Sequence, residues 1–518
     1  MSNDEATLNP PKTSSGLEWG IFLIYSFLII LGVYHHEMWR DELHLWNILS
    51  YSGSLTSLVH NAAYEGHPLL WHLILWPINK ISIAPHWMQL IHTAFVLGTA
   101  YLVVFKSPFK MFEKILILVS YPLLFEFGLI SRNYILAVFL IFLIAIYWKN
   151  LRKNILIICL LLTLLFNTNA YAFVFACAVS AGVILFYVSE KGLHYRDSNL
   201  WIGSLLIIIG SLISIITIIP PKDASAEAGF VLNFDLQRIG FVLKNVYKGT
   251  FSFPEIGYFH FWNTFFRENK YRMASLGMAA WLGLWWHLRK DRPVLLLSGL
   301  IYAALGGFIY LSAYVGSVRH YQIYTISILF CFWIFLDRKK NYVPAGTSAP
   351  YTRFAFLAIL CGQAIAGLFA YSKDLAYPFS NAKAAATFLE TNYAGTPYLL
   401  MGNYHYLNTP VAGYLGQKIF SLDILQNTAY SVWRADLWNP SVYGMTDSTL
   451  LKRAAQVANA QKNKKIVWLC EYNSSVAYTE GHLKSVSLQG KNYQFLCVKV
   501  FNESIVHDEN YYIYELKR

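Results

Sequence analysis

WGIFLIYSFLIILGVYHHEMWRDE, residues 19–42, decides how this chain is read. Trp19 to Tyr34 is uncharged and makes up most of an apolar segment over 17–34, close to the length that crosses a bilayer as a helix. No small-residue cleavage site follows it, so it reads as a retained first span and not as a removed signal peptide. It ends in His35-His36-Glu37-Met38-Trp39-Arg40-Asp41-Glu42, which sets an Arg, an Asp and a Glu in a row at a membrane surface. Further on, Tyr64-Glu65-Gly66-His67-Pro68 again places an acid and a His beside an apolar stretch.

The whole chain has the same character. Of its 518 residues 56% are hydrophobic and only 14% charged, where a soluble chain carries about a quarter charged residues. Candidate spans lie at 17–34, 84–105, 114–131, 133–148, 152–167, 171–188, 200–219, 274–288, 294–314, 321–337 and 354–371, so the expected fold is an α-helical polytopic membrane protein of about eleven transmembrane helices. Asn167-Thr168-Asn169 is a turn signal that splits the fifth span from the sixth. With that split, one side of the membrane collects Lys106, Lys110 and Lys114; Lys149, Arg152 and Lys153; Lys191 and Arg196; Arg289, Lys290 and Arg292; and Arg338, Lys339, Lys340 and Arg353. The short loops of the other side hold little beyond Arg132 and Arg319. Basic loops stay cytoplasmic. The N-terminus is therefore expected inside and everything after the last span outside. The net charge of +12 follows from those loops and calls for no nucleic acid, since no basic patch is interleaved with aromatics.

Three domains are expected. Residues 1–16 are polar, rich in Ser, Thr, Asn and Pro, and read as disordered. Residues 17–371 form the membrane module, with large outer loops at 35–83 and 220–273. The first of these carries interfacial helices over 43–49 and 69–81, and the second a helical spacing within 233–247. Residues 372–518 are the size of one soluble domain of α/β or α+β type. Its expected helices cover 381–391 and 448–462, and its strands 398–401, 465–470, 493–501 and 511–516. No glycine-rich nucleotide fingerprint follows a strand. Cys159, Cys177, Cys331 and Cys361 lie in apolar runs, whereas Cys470 and Cys497 lie in strands and could pair in an oxidising compartment.

Few residues on the outer side can carry chemistry. Asp41 and Glu42 are candidate catalytic carboxylates, because an apolar interface tunes a carboxyl toward general-base work. Equally, an acid at a helix start is a good cap. Arg40 adjoins them, and His67 could position a phosphate or simply cap a surface helix. His35, His36, Glu37, Asp41, Glu42 and His67 together offer donors for a divalent metal but show no recognised ligand spacing. Arg132, in Ser131-Arg132-Asn133-Tyr134, and Arg319-His320 are isolated cations on the side that otherwise avoids them. A guanidinium fork matches phosphate oxygens. Snorkelling, or pairing with an acid such as Glu126, is the plainer account. Lys222, Arg238, Lys244 and Lys248 could add to a phosphate site or form a solvated face. Trp39, Tyr64, Trp71 and Trp262 could stack on sugars or anchor at headgroup depth.

The Asp41-Glu42 pair after the first span, the long first outer loop, the stretch at 131–134 and the outer C-terminal domain together resemble the GT-C glycosyltransferases. Bacterial members of that superfamily include protein O-mannosyltransferase-like and aminoarabinose-transferase-like proteins. The resemblance covers roughly Gly16 to Tyr371. It implies a polyprenyl-phosphate-linked sugar donor and a glycan, lipid or protein acceptor, with transfer by inversion at the outer face of a bacterial inner membrane. It gives the base role to Asp41, with Glu42 beside it. Arg132, Tyr134, Arg319 and His320, with Arg40 and His67, would hold substrate and the leaving lipid phosphate. A flippase or transporter of lipid-linked glycans should place charges mid-span and often shows repeated halves, whereas here most charges sit at span ends and no halves match. A non-catalytic membrane subunit would have no need of Asp41.

Overall fold

The computed structural model describes residues 15–191, 197–225, 229–231, 233–266, 269–312, 316–340, 350–438, 444–461, 463–471 and 479–517. The expected disordered stretch 1–16 falls almost wholly outside them. Helix α1 (Gly16–His35) runs through the apolar segment and is capped by Ser15, whose Oγ accepts from the Glu18 N–H. Three short helices fill the first long loop, expected over 35–83: α2 (Arg40–Ser50), α3 (Leu55–Ala62) and α4 (Leu70–Ile81). The expected helices 43–49 and 69–81 correspond to α2 and α4.

The chain continues as α5 (His86–Tyr101), which runs on as a π-helical turn over Leu102–Lys106, and then α6 (Met111–Leu118). The expected span 114–131 is not one helix. After α6 the backbone is extended at Ser120 and restarts as a π-helical turn, Tyr121–Glu126, with Pro122 in its first turn. Proline has no N–H to continue the α6 ladder, so the run breaks there. Next come α7 (Tyr134–Trp148), α8 (Ile155–Phe166), α9 (Ala170–Lys191) and α10 (Ser198–Ile218). The turn expected at Asn167-Thr168-Asn169 separates α8 from α9, and Asn169 Oδ1 accepts from the Ala172 N–H at 2.9 Å. The membrane module ends with α11 (Leu236–Thr250), α12 (Lys270–Leu288), α13 (Arg292–Leu311), the short α14 (Val318–Tyr321), α15 (Ile323–Lys340) and α16 (Pro350–Ala376).

Among the described residues six helices are long and apolar enough to cross a membrane: Gly16–His35, His86–Lys106, Ala170–Ser189, Ser198–Ile218, Arg292–Leu311 and Phe354–Ala376. Helices α7 and α8 are apolar but shorter. Helix α15 closes on Asp337-Arg338-Lys339-Lys340, and α12 begins with Lys270 and Arg272. Helix α10 leaves Leu205, Ile208, Ile209, Leu212, Ile213 and Ile216 exposed, an apolar face that suits lipid.

The two ends of the helix assembly differ. At one end Lys114 Nζ meets Glu18 at 3.0 Å, Arg152 donates to the Tyr187 carbonyl at 3.1 Å, and Arg338 meets Asp291 at 2.7 Å. Lys114 and Arg338 thus lie where α1 and α13 begin, and Arg152 near the end of α9. At the other end lie the C-terminus of α1, helix α2, the 131–133 turn and the 167–169 turn.

The C-terminal domain is a mixed sheet with helices α17 (Ala382–Tyr393), α18 (His405–Leu415) and α19 (Asp447–Ala460). Its strands are β1 (Tyr398–Gly402), β2 (Ile419–Ser421), β3 (Gln426–Thr428), β4 (Lys465–Glu471), β5 (Leu483–Leu488), β6 (Lys491–Phe501) and β7 (Tyr511–Lys517). They lie in the order β3-β2-β1-β4-β7-β6-β5; β1 is parallel to β2 and β4, and the other pairs are antiparallel. This is an α+β arrangement around one sheet. Cys470 on β4 and Cys497 on β6 are separated by β7 and both thiols are free. Two strand spacings, about 9–10 Å, exceed the reach of a disulfide, so the pairing left open by the sequence does not form.

The domain is bolted to α2 and the residues just before it. Asn47 Nδ2 of α2 donates to the carbonyls of Thr409 and Ala429 at 3.0 and 2.6 Å. The Met38 N–H donates to Tyr414 Oη at 2.9 Å, and the Arg40 N–H to Glu509 Oε1 at 3.0 Å.

Candidate functional site

A cavity of about 940 Å³ opens at the end of the assembly that holds α2 and the 131–133 turn, away from Lys114, Arg152 and Arg338. Helix α2 contributes Arg40, Asp41 and His44, with Trp39 just before it. The turn between α3 and α4 gives Tyr64, Glu65, Gly66 and His67; Gly66 has φ +63°, a left-handed turn that a residue with a Cβ rarely adopts. Arg132 and Tyr134 enter from the 131–134 turn, and Arg319 and His320 from α14. Seven of the eight residues singled out in the sequence therefore share one cavity.

Asp41 lies between two guanidinium groups. Its Oδ2 is 2.8 Å from Arg319 Nη2 and 3.3 Å from Arg132 Nη1, and Arg132 Nη1 also donates to the Asp41 main-chain carbonyl at 2.7 Å. The Arg319 guanidinium rests over the Trp39 ring at 5.2 Å. Burial pushes the Asp41 carboxyl up, but Arg319, Arg132 and Arg40 outweigh it and hold the group at about 2. Asp41 is thus ionised and strongly held. The alternative partner considered for these arginines, Glu126, instead accepts from Tyr121 Oη at 2.9 Å and Trp262 Nε1 at 3.1 Å.

Glu42 faces the other way. It is fully buried, and its carboxylate accepts from the Ser131 N–H at 2.6 Å and the Trp39 N–H at 3.2 Å, with His36 Nε2 at 3.2 Å. His36 Nδ1 in turn meets Asp374 of α16 at 2.9 Å. Glu42 thereby fastens α2 to the 131 turn, to the end of α1 and to α16. The cap considered for Asp41 is thus made by Glu42, which accepts from the Trp39 N–H at the start of α2 and does not line the cavity.

Arg40 pairs with Asp508 of the C-terminal domain, and its guanidinium lies 5.4 Å from the Trp39 ring and 5.8 Å from that of Tyr406. His320 Nδ1 accepts from the Ser317 N–H at 2.8 Å, and its ring stacks on Tyr171 at 5.0 Å and meets Tyr134 edge-on at 5.9 Å. Burial first, then Arg132, lowers His67 to about 4; burial first, then Arg319, takes His320 well below its ordinary value. Both imidazoles are neutral at pH 7, so the fixed positive charge of this wall belongs to the arginines. Glu65 is ion-paired to His44, with His72 Nε2 at 3.7 Å. Burial opposes its ionisation, but His44 holds it well below the carboxylate range.

The remaining walls were hidden in the sequence. Ile218, Ile219, Pro220, Phe230 and Phe308 make an apolar side where α10 and α13 end. Tyr406, Thr409, Ser431, Trp433 and Trp438 of the C-terminal domain form a roof, with Trp433 and Trp438 4.2 Å apart. That roof is tied to the segment after α10: the Ser225 N–H donates to the Trp433 carbonyl at 2.9 Å and the Ala435 N–H to that of Asp223 at 2.8 Å. Lys222, Arg238, Lys244 and Lys248 do not line the cavity; Arg238 donates to the carbonyls of Tyr310 and Ser312. Of the aromatics, Trp39, Tyr64 and Trp262 line it, whereas Trp71 is buried elsewhere.

The His/acid cluster considered for a metal is divided. His36 and Glu42 bind each other, while Asp41 and His67 face the cavity. Among the described residues no group of three or more His, Cys, Asp or Glu converges on a metal position. Comparison with protein-family models, with curated proteins and with solved structures gave no match.

Proposed function

We propose that the chain is a membrane glycosyltransferase of GT-C type that moves a sugar from a polyprenyl-phosphate donor to a glycan, lipid or protein acceptor. One observation carries this reading: Asp41, Arg132 and Arg319 meet in a cavity whose neighbouring wall is apolar and continuous with the ends of α10 and α13. A polyprenyl chain has a place along that wall, with its phosphate at the guanidinium pair. The acceptor hydroxyl attacks the anomeric carbon from the face opposite the phosphate. A carbon–oxygen bond to the acceptor forms, the bond to the phosphate oxygen breaks, and the electron pair leaves with the lipid phosphate. Arg132 and Arg319 offset the charge that develops there. Asp41 takes the hydroxyl proton.

In this reading the basic loops are cytoplasmic, and the cavity and C-terminal domain lie outside, in the periplasm of a bacterial inner membrane. The shorter and broken helices α6–α8, with α12 and α15, complete the eleven spans. The test is transfer by purified protein in lipid, with a panel of polyprenyl-phosphate sugars, for wild type and Asp41→Asn. Transfer should fall by about 100-fold or more in the variant, with folding and donor binding retained. Equal transfer in both proteins removes Asp41 as the base. No transfer from any donor, with movement of lipid-linked glycan across vesicles, would replace the enzyme by a transporter.

A further inference from the structure

We infer that Asp41 is a built-in counter-ion of the Arg132–Arg319 pair, which a phosphate must displace in order to bind; this rests on the reading of the cavity as a lipid-phosphate site. The guanidiniums are the natural anion-binding groups of the cavity, yet their forks already hold the Asp41 carboxylate at 2.8 and 3.3 Å. Nearby cationic capacity is committed elsewhere. Arg40 is paired with Asp508, and His67 and His320 are neutral. Asp41 is ionised at any working pH, so protonation does not release it. A ligand has to compete for the arginines.

Competition has two consequences. Every anion pays the same cost of displacing Asp41, so the site is weakened toward all of them by one common factor. A phosphate with a prenyl chain recovers binding from Ile218, Ile219, Phe230 and Phe308, whereas free phosphate recovers nothing. The carboxylate thus raises a threshold that a free phosphate does not cross and an amphiphilic phosphate does. The displaced Asp41 then loses the two cations that suppress its basicity and becomes a better proton acceptor. Donor binding is therefore the step that switches on the base, and the donor binds before the acceptor reacts.

The test is calorimetric binding of inorganic phosphate, farnesyl phosphate and farnesol to the full-length protein in detergent, for wild type, Asp41→Asn, Arg319→Gln and Glu65→Gln. Asp41→Asn should bind inorganic phosphate and farnesyl phosphate more tightly, both by the same factor of about tenfold or more, the value of one charge-assisted hydrogen bond. Farnesol should bind both proteins equally. Phosphate should also raise the melting temperature of Asp41→Asn more than that of wild type, which shows that the variant is folded. Unchanged or weaker farnesyl phosphate binding in Asp41→Asn overturns the displacement. So does an equal gain in Glu65→Gln, because a second cavity acid would then act through general charge alone. If Arg319→Gln binds farnesyl phosphate like wild type, the phosphate site itself is wrong and both readings fall. If Arg319→Gln weakens binding while Asp41→Asn leaves it unchanged, only the displacement falls.

Discussion

Asp41 and Glu42 are neighbours in sequence with opposite surroundings, and helix geometry explains why. Successive residues of a helix point about 100° apart. Glu42 is in phase with Trp46 and Leu49, which are buried, while Asp41 is in phase with His44, which lines the cavity. That phase was legible in RDELHLWNILS. What was not legible is that Ser131, His36 and Asp374, from distant parts of the chain, converge on the buried face. Glu42→Ala should therefore cost about 3–5 kcal/mol, the usual effect of removing one partner from a buried charge pair, seen as a lower melting temperature. Asp41→Asn should melt near wild type once phosphate is supplied. His36 gives a pH signature. Burial lowers its basicity, but Asp374 and Glu42 raise it further, to about 10, well above the value of about 6.5 in an unfolded chain. A raised pKa contributes stability that is full below about pH 6.5 and is lost as pH rises through about 10. Melting temperatures measured from pH 6 to pH 10 should decline in wild type, and His36→Gln should flatten that slope.

At the level of elements, α18 and the break after α6 show where sequence patterns give way to tertiary context. Helix α18 contains Asn408, Thr409 and Pro410, residues that favour turns, and was not expected as a helix. It forms because most of it is buried against α2 and the sheet, and such packing overrides propensity. Conversely, 114–131 is apolar enough to read as one span, and Pro122 interrupts it. The contact between α18 and α2 is tight. A Cβ on Gly413 would lie 2.9 Å from Asn47 Oδ1 and 3.1 Å from Leu43 Cβ. Asn47 in turn holds the domain by its two hydrogen bonds to Thr409 and Ala429. Gly413→Val should force α18 away from α2 and open the roof of the cavity. The expected result is faster proteolysis within the C-terminal domain and transfer lowered by about tenfold or more, the scale of losing substrate positioning. A variant with wild-type proteolysis and transfer would show that the roof tolerates displacement.

For the whole molecule, the decisive information was the spacing of charge along the chain. The turn at Asn167-Thr168-Asn169 separates α8 from α9, and the parity read from it is what predicts that every basic loop lies on one side. In the fold, Lys114, Arg152 and Arg338 meet Glu18, the Tyr187 carbonyl and Asp291 at one end, and the cavity occupies the other. The roof was illegible because Tyr406, Trp433 and Trp438 lie far from Asp41 in sequence and follow no periodic pattern. Under the proposed function those residues give the C-terminal domain its part in the site. In that reading the domain closes the site from above while the apolar wall leaves its side to lipid. This arrangement requires the domain and the basic loops to face opposite compartments. In a background with the six native cysteines replaced, Lys491→Cys on β6 and Lys110→Cys before α6 place single thiols at exposed positions. An impermeant maleimide should label Lys491→Cys in intact spheroplasts and Lys110→Cys only after the membrane is opened. Labelling of both from the same side would break the parity on which the topology rests and, with it, the placement of a lipid-linked donor beneath the domain.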